Sequence, residues 1–332
     1  MQVLPLLDSF GRVATDLRVS LTDRCNLRCS YCMPAEGLDW LPGDEVLTDD
    51  EVVRLVRFAT ERLGVLEVRF TGGEPLVRRG LVDIVARTRE IDPTLELSIT
   101  SNGLGLARTA QALADAGLDR VNVSLDTIRA ETFHEMTRRD RFHDVVAGLA
   151  AAADAGLGPV KVNAVLMRGV NDDQAGELLG WCIERGYELR FIEQMPLDAQ
   201  HGWSRDGMIT ADEIFTSLAR DFDLTPAEEP RGSAPAEKFL VDGGPATVGV
   251  IASVTRPFCG DCDRVRLTAD GQIRNCLFAR NESDLRGALR AGADDAELAR
   301  LWVVAMGGKA AGHGIDDESF LQPTRSMSAI GG

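Results

Sequence analysis

Positive charge is what this sequence is short of: 36 lysines and arginines face 52 aspartates and glutamates in 332 residues, a formal net charge of −16. That balance excludes a generally basic surface, and with it non-specific binding to nucleic acid or to an anionic membrane. Long apolar runs are missing too. The stretch from Val145 to Ala153 is cut by Asp154, and the run from Leu301 to Ala305 soon meets Lys309, so no segment reads as a bilayer span. No basic region precedes the apolar residues among the first eight positions, which argues against a secretory signal and makes the cytoplasm the expected location. At 44% hydrophobic and 27% charged, the rest is a globular chain, suited to one large α/β domain with an appendage or to two domains.

Short β-branched runs alternate with amphipathic helical stretches up to about residue 193. Strands are expected at Leu17–Leu21, Glu67–Thr71, Glu96–Thr100, Arg120–Leu125, Val160–Leu166 and Leu189–Glu193. Between the first two, apolar residues from Asp50 to Phe58 return at helical spacing, and Thr48 with Glu51 forms a capping box. Six βα units in a row predict a parallel sheet, because each crossover helix returns the chain in the same direction. Periodicity leaves open whether such a sheet closes or is doubly wound, but no Gly-x-Gly-x-x-Gly follows the first strand. Residues 225–245 carry four prolines and read as a boundary or long loop. Beyond it come strand-like pieces at Ala246–Ala252 and Val265–Thr268, and helical stretches at Glu282–Leu289 and Asp295–Val304.

Seven cysteines fall into a triplet, a singleton and a second triplet. Clustered thiols in a reducing compartment are metal or catalytic ligands more often than disulfides. Cys25, Cys29 and Cys32 have the spacing Cys-x3-Cys-x2-Cys in the loop after the first strand. Three thiolates can hold three corners of an iron–sulfur cubane and leave the fourth iron open to a small molecule, whereas a structural zinc needs a fourth ligand and no histidine is near. Cys259, Cys262 and Cys276 form the second triplet; a second open cubane and a zinc site recruiting His313 are both compatible with it. Cys182, on a predicted helix, reads as core. Around the second triplet the charge reverses locally: seven arginines and five carboxylates lie between Thr255 and Arg290. Arg264 and Arg266, beside Cys262, offer planar forks suited to phosphate oxygens.

The first triplet, with Tyr31 before its last cysteine, and Thr71-Gly72-Gly73-Glu74-Pro75 at the end of the second strand resemble the radical S-adenosylmethionine (SAM) superfamily. The segment from Phe258 to Phe278 and the ending from His313 to Gly331-Gly332 narrow the resemblance to the GTP 3′,8-cyclase family, the first enzymes of molybdenum cofactor biosynthesis. The alternatives are a radical SAM enzyme whose C-terminal auxiliary cluster serves peptide modification, and a metal-stabilised binding module without catalysis.

The resemblance implies an incomplete (βα)6 TIM-like radical SAM barrel over residues 1–225, and a C-terminal domain over 226–332 carrying a second iron–sulfur cluster and the Gly-Gly tail. It implies two [4Fe-4S] clusters, on Cys25, Cys29 and Cys32 and on Cys259, Cys262 and Cys276. SAM contacts map onto Tyr31, Gly73, Ser124 and Met195, and GTP contacts onto Arg18, Arg69, Thr100, Lys161, Arg264, Val265 and Arg266. Arg18, Arg264 and Arg266 take the catalytic role, with Gly331 and Gly332 reaching toward them. Cations at positions 18, 69 and 161 lie within apolar strands, where they call for an anionic partner. The implied reaction converts GTP to (8S)-3′,8-cyclo-7,8-dihydroguanosine 5′-triphosphate for cyclic pyranopterin monophosphate synthase, with an electron donor as further partner. No nucleic acid or membrane takes part, and a homodimer is compatible with the reading. Anaerobic iron and sulfide analysis is expected to find iron for two clusters; zinc in its place, or iron for one only, would sink the two-cluster expectation.

Overall fold

The structure, a computed structural model, describes residues 3–331. The six expected strands are present as β1 (Asp16–Ser20), β2 (Glu67–Thr71), β3 (Glu96–Ser101), β4 (Arg120–Ser124), β5 (Lys161–Val165) and β6 (Glu188–Ile192), each within one residue of its expected ends. Helices α1 (Asp49–Leu63), α2 (Leu81–Arg89), α3 (Leu106–Asp115), α4 (Ala130–Thr137), α5 (Phe142–Asp154) and α6 (Ala175–Glu184) lie between them, and α7 (Ala211–Leu218) follows β6. The α1 helix starts where its capping box requires: Thr48 Oγ1 accepts from the Glu51 amide at 3.2 Å, and the Glu51 carboxylate accepts from the Thr48 amide at 2.8 Å. It ends at Gly64, whose φ of 77° suits a left-handed cap.

The C-terminal third supplies β7 (Leu224–Pro226), β8 (Glu237–Val241), β9 (Thr247–Ile251), β10 (Arg264–Leu267), β11 (Gln272–Arg274) and β12 (Ser283–Asp284), then α8 (Leu285–Arg290), α9 (Asp295–Gly307) and α10 (Met327–Ile330). All twelve strands share one sheet, in the order β12-β11-β10-β1-β2-β3-β4-β5-β6-β9-β8-β7. The C-terminal strands thus extend both flanks of the βα array, β9 parallel to β6 and β10 parallel to β1. Pairing is linear, and among the described residues no pairing joins the two ends.

Two expectations are corrected. Residues 225–245 are not only a loop: they contain β8 and most of β7, a pair whose side chains are largely half-exposed, so no clean alternation marks it. Pro226 is tolerated there because β7 is the edge strand, where a missing N–H costs no ladder bond. Helix α8 begins at Leu285, not Glu282, because Asp284 acts as its cap, accepting from the Gly287 amide at 2.9 Å.

Along the parallel strands one set of side chains is apolar and fully buried: Leu17, Val19, Val68, Phe70, Leu97, Ile99, Val121, Val123, Val162, Phe191, Val250, Val265 and Leu267 pack with the helices in one core. Cys182 of α6 belongs to that core. The alternate set is polar, where the centre of a closed (βα)8 barrel is normally packed with branched apolar residues. It lines a cavity of about 350 Å³.

Glu193, fully buried just after β6, ties that strand to its surroundings. It accepts from the Ala211 amide at the start of α7 and from the Val254 and Thr255 amides, each at 2.8–2.9 Å, and from the Thr255 hydroxyl at 2.5 Å. Glu193→Ala would leave two buried N–H groups and a part-buried one without partners and is expected to cost roughly 3 kcal/mol in denaturant unfolding. A loss under about 0.5 kcal/mol would mean that water replaces the carboxylate.

Candidate active site

Parallel register sets the two cysteine triplets at opposite ends of the cavity. The first follows the carboxyl end of β1. Cys259 and Cys262 precede β10, whose Arg264 pairs with Asp16 at the amino end of β1. Because β11 runs back antiparallel, with Arg274 opposite Arg266, it returns Cys276 to the same end. A five-residue strand separates the ends by about 15 Å. All six thiols line the one cavity, and none is in a disulfide.

At the first end the cysteine loop is pressed against the turn after β2. A Cβ on Gly73 would lie 2.3 Å from the Asp23 carbonyl oxygen, and one on Gly72, at φ 140°, 2.3 Å from that of Thr22, so this approach needs glycine. Asn102 Nδ2 donates to Cys25 Sγ at 3.7 Å and to Asn26 Oδ1 at 2.7 Å. Buried Glu74 accepts from the Leu76 and Asn102 amides and the Ser101 hydroxyl; burial still pushes its carboxyl up to about 7. Tyr31 donates its phenol proton to Asp126 at 2.9 Å, and the Val165 amide holds the other Asp126 oxygen at 2.8 Å. Burial raises Asp126 to about 6. Gly73, Ser124 and Met195 complete this end of the lining.

At the second end burial raises the Cys262 thiol, but the Arg264 guanidinium and the Lys309 ammonium outweigh it and bring it down to about 7. Lys309 Nζ donates to Cys262 Sγ at 3.3 Å and to the Cys262 and Arg264 carbonyls at 3.0 and 2.9 Å. His313 lines the cavity, yet its Nε2 lies 2.9 Å from the Ser253 carbonyl and its Nδ1 accepts from the Ile315 amide at 3.1 Å. With both ring nitrogens occupied it makes a poor fourth zinc ligand. Among the described residues no group of three or more His, Cys, Asp or Glu is arranged to hold a metal ion. A cubane spreads its thiolates wider than the donors of one tetrahedral ion. The fit to clusters therefore rests on the donor set: three unpaired thiols per triplet, facing one cavity.

Between the ends lie arginines. Arg18, Arg69, Arg190, Arg264 and Arg266 line the cavity, and Arg266, Arg18 and Arg69 stand side by side in register on β10, β1 and β2. Asp16 accepts from Arg18 at 3.3 Å, and Glu67 accepts from Arg69 at 2.6 Å. Among the described residues Arg190 donates to the neutral amides of Asn122 and Asn163, at 2.6 and 3.0 Å, and burial with Arg69 nearby lowers it to about 9. Burial, then Arg18 and Arg264, hold Arg266 well below the usual guanidinium range. Arg18 Nε and Arg264 Nε and Nη2 are buried without hydrogen-bond partners among the described residues. Buried donors in this condition call for an anion.

Thr100 lines the same cavity, but two expected substrate contacts do not. Val265 points to the opposite face, into the core, since neighbours along a strand alternate. Lys161 pairs with Glu188 at 3.5 Å outside the cavity wall. Arg190 occupies the lining that Lys161 was expected to share; the argument from a cation in an apolar strand, applied to Leu189-Arg190-Phe191, would have found it. Asp126, Asn102 and Lys309 carried no comparable signal.

The tail reaches the wall of this cavity, where Met327 is part of the lining. Ser20 Oγ donates to the Ile330 carbonyl at 2.7 Å, and Arg266 Nη1 to the Gly331 carbonyl at 2.5 Å. Gly332 lies outside the described residues.

Residues 19–182 match the Radical SAM superfamily, and residues 187–315 match Molybdenum Cofactor Synthesis C. The chain is 66% identical over 328 residues to the GTP 3′,8-cyclase of Streptomyces coelicolor, covering 98% of this chain and 96% of that one. The chain belongs to the GTP 3′,8-cyclase family.

Other GTP 3′,8-cyclases agree: that of Mycolicibacterium smegmatis is 61% identical, with 99% of this chain and 92% of the relative covered. GTP 3′,8-cyclase 2 of Mycobacterium tuberculosis is 60% identical over the same shares. Among solved structures, Streptococcus suis SuiB bound to S-adenosylmethionine shares the fold, with a TM-score of 0.60 at 15% identity over 96% of this chain and 78% of that one. A radical SAM family implies a [4Fe-4S] cluster and SAM. No helix of the described residues is long and apolar enough to cross a membrane.

A side chain at Gly331 has no room: its Cβ would meet Ser20 Oγ at 2.1 Å, and its φ is 86°. Gly331→Val is therefore expected to expel the tail, read as faster release of the C-terminal residues by carboxypeptidase with unchanged circular dichroism. A tail as resistant as the parent's would show that it seats with a side chain.

Proposed function

We propose that this chain converts GTP to (8S)-3′,8-cyclo-7,8-dihydroguanosine 5′-triphosphate, opening molybdenum cofactor biosynthesis. The observation that carries the reading is the row of buried, incompletely paired arginines between two thiol triplets in one cavity. Cys25, Cys29 and Cys32 would hold the first [4Fe-4S] cluster, with Tyr31, Gly73, Ser124 and Met195 around SAM. Cys259, Cys262 and Cys276 would hold a second cluster, on the C-terminal part from residue 226 onward. Bound and reduced, the first cluster with SAM would supply the radical chemistry that removes the ribose 3′ hydrogen and lets C3′ bond to guanine C8, with one further electron from the donor and a proton completing the dihydro product.

The protein's task is placement. Arg18, Arg69, Arg190, Arg264 and Arg266 are already desolvated, so they can take up phosphate oxygens without reorganising, and forked donors fix an anion in angle as well as distance. Thr100 adds a hydroxyl to the same wall, and Gly331 occupies Arg266 from the tail side. Lys161, at the amino end of β5, would reach GTP only by leaving Glu188. The product would pass to cyclic pyranopterin monophosphate synthase, and an electron donor would reduce the clusters. Clustered free thiols suit a reducing compartment, which supports the cytoplasm as the location.

With GTP deuterated at the ribose 3′ position, reduced and reconstituted protein is expected to move deuterium into 5′-deoxyadenosine. Transfer from another position, or none, would refute the assignment. Arg266→Ala should lose cyclisation far more than cluster content; equal loss of both would make Arg266 a structural residue.

A further inference from the structure

The tail tip is held by Ser20 and Arg266, but its root is held elsewhere. Arg325 precedes α10 by two positions and does not line the cavity. Its guanidinium forks twice: Nη1 and Nη2 donate to the two Asp270 oxygens at 3.0 and 2.7 Å, and Nε and Nη2 meet the two Glu282 oxygens, each at 2.8 Å. Both carboxylates are mostly buried, at 11% and 19% side-chain exposure, so water screens these pairs less than surface ones.

The partners belong to one ribbon. Asp270 sits in the turn between β10 and β11, four residues beyond Arg266. Glu282 also pairs with buried Arg274 of β11, the residue opposite Arg266 in register. Root and tip of the tail are therefore clamped to the same hairpin, the one that returns Cys276 to the second triplet. Between the clamps the chain is a single helical turn, α10, whose Met327 amide donates to the Leu197 carbonyl at 2.9 Å and whose Ile330 is buried against Leu197 and Phe278. A short rigid turn transmits the position of its root to its tip.

We propose that Arg325 is the positioning residue that seats Gly331 at Arg266, acting through α10 and touching neither substrate nor cofactor. The proposal rests on the tail's being part of the active site, as read above. Its geometry asks for a fork, because a lysine ammonium keeps the charge but grips one carboxylate oxygen at a time.

The test is hydrogen–deuterium exchange on the purified full chain, comparing the parent with Arg325→Lys and with Asp270→Asn, which keeps the shape of its side chain. Peptides covering residues 326–331 are expected to exchange about tenfold faster in both variants, while those from α1 to α6 are unchanged. In turnover, both variants should make more 5′-deoxyadenosine per cyclised product than the parent. Tail protection equal to the parent's in both variants would overturn the proposal. So would a loosened tail with an unchanged ratio of 5′-deoxyadenosine to product. Exchange needs no substrate, so a parent that makes no cyclised product would count against the proposed function and leave exchange to decide the seating.

Discussion

Guanidinium groups held out of water set the terms for the rest of this architecture. A parallel sheet must have both faces covered. Here the helices cover one face with an apolar core, and the other carries arginines where branched side chains would ordinarily fill the space. Asp16 and Glu67 offset part of that charge. The remainder, with unpartnered donors on Arg18 and Arg264, keeps the centre from collapsing into a dry core and leaves a cavity that demands an anion.

The net charge of −16 gains a definite meaning from this. Most of that acidity lies on the exterior, where several carboxylates pair with exposed arginines in ways that contribute little to stability. Five arginines, by contrast, gather in the lining of one cavity. A chain that repels extended polyanions can therefore still bind one small anion, enclosed.

The β10–β11 hairpin joins the parts. It pairs with β1 in parallel and thereby brings Arg264 and Arg266 to Asp16 and Arg18, while its return strand delivers Cys276. The two matched families divide the chain between residues 182 and 187, but the sheet does not divide there: strands from the second part flank β5 on one side and β1 on the other. The site belongs to neither part alone.

Local chemistry was legible in the sequence. Six strands were placed within one residue, because Val-, Ile- and Leu-rich runs between turn signals register burial whatever their neighbours. The capping box and the thiol spacings were legible for the same reason, each being a relation among residues within one loop or turn. Pairwise geometry across the chain was not. Val265 and Arg266 differ by one position, and only strand register decides which of them faces the cavity. Lys161 and Arg190 look equivalent in sequence, but they sit at different heights on β5 and β6, and Glu188 takes the lysine. Strands β7 and β8 escaped notice because a half-exposed strand pair at the margin of the sheet lacks a binary pattern. The sequence by itself determined the thiol triplets, the alternation and the six strands of the βα array, since these depend on neighbours along the chain. Only the tertiary structure decided which cations share a cavity and that Ile330 ends on Ser20, 310 positions away, since such contacts exist only once register and packing are complete.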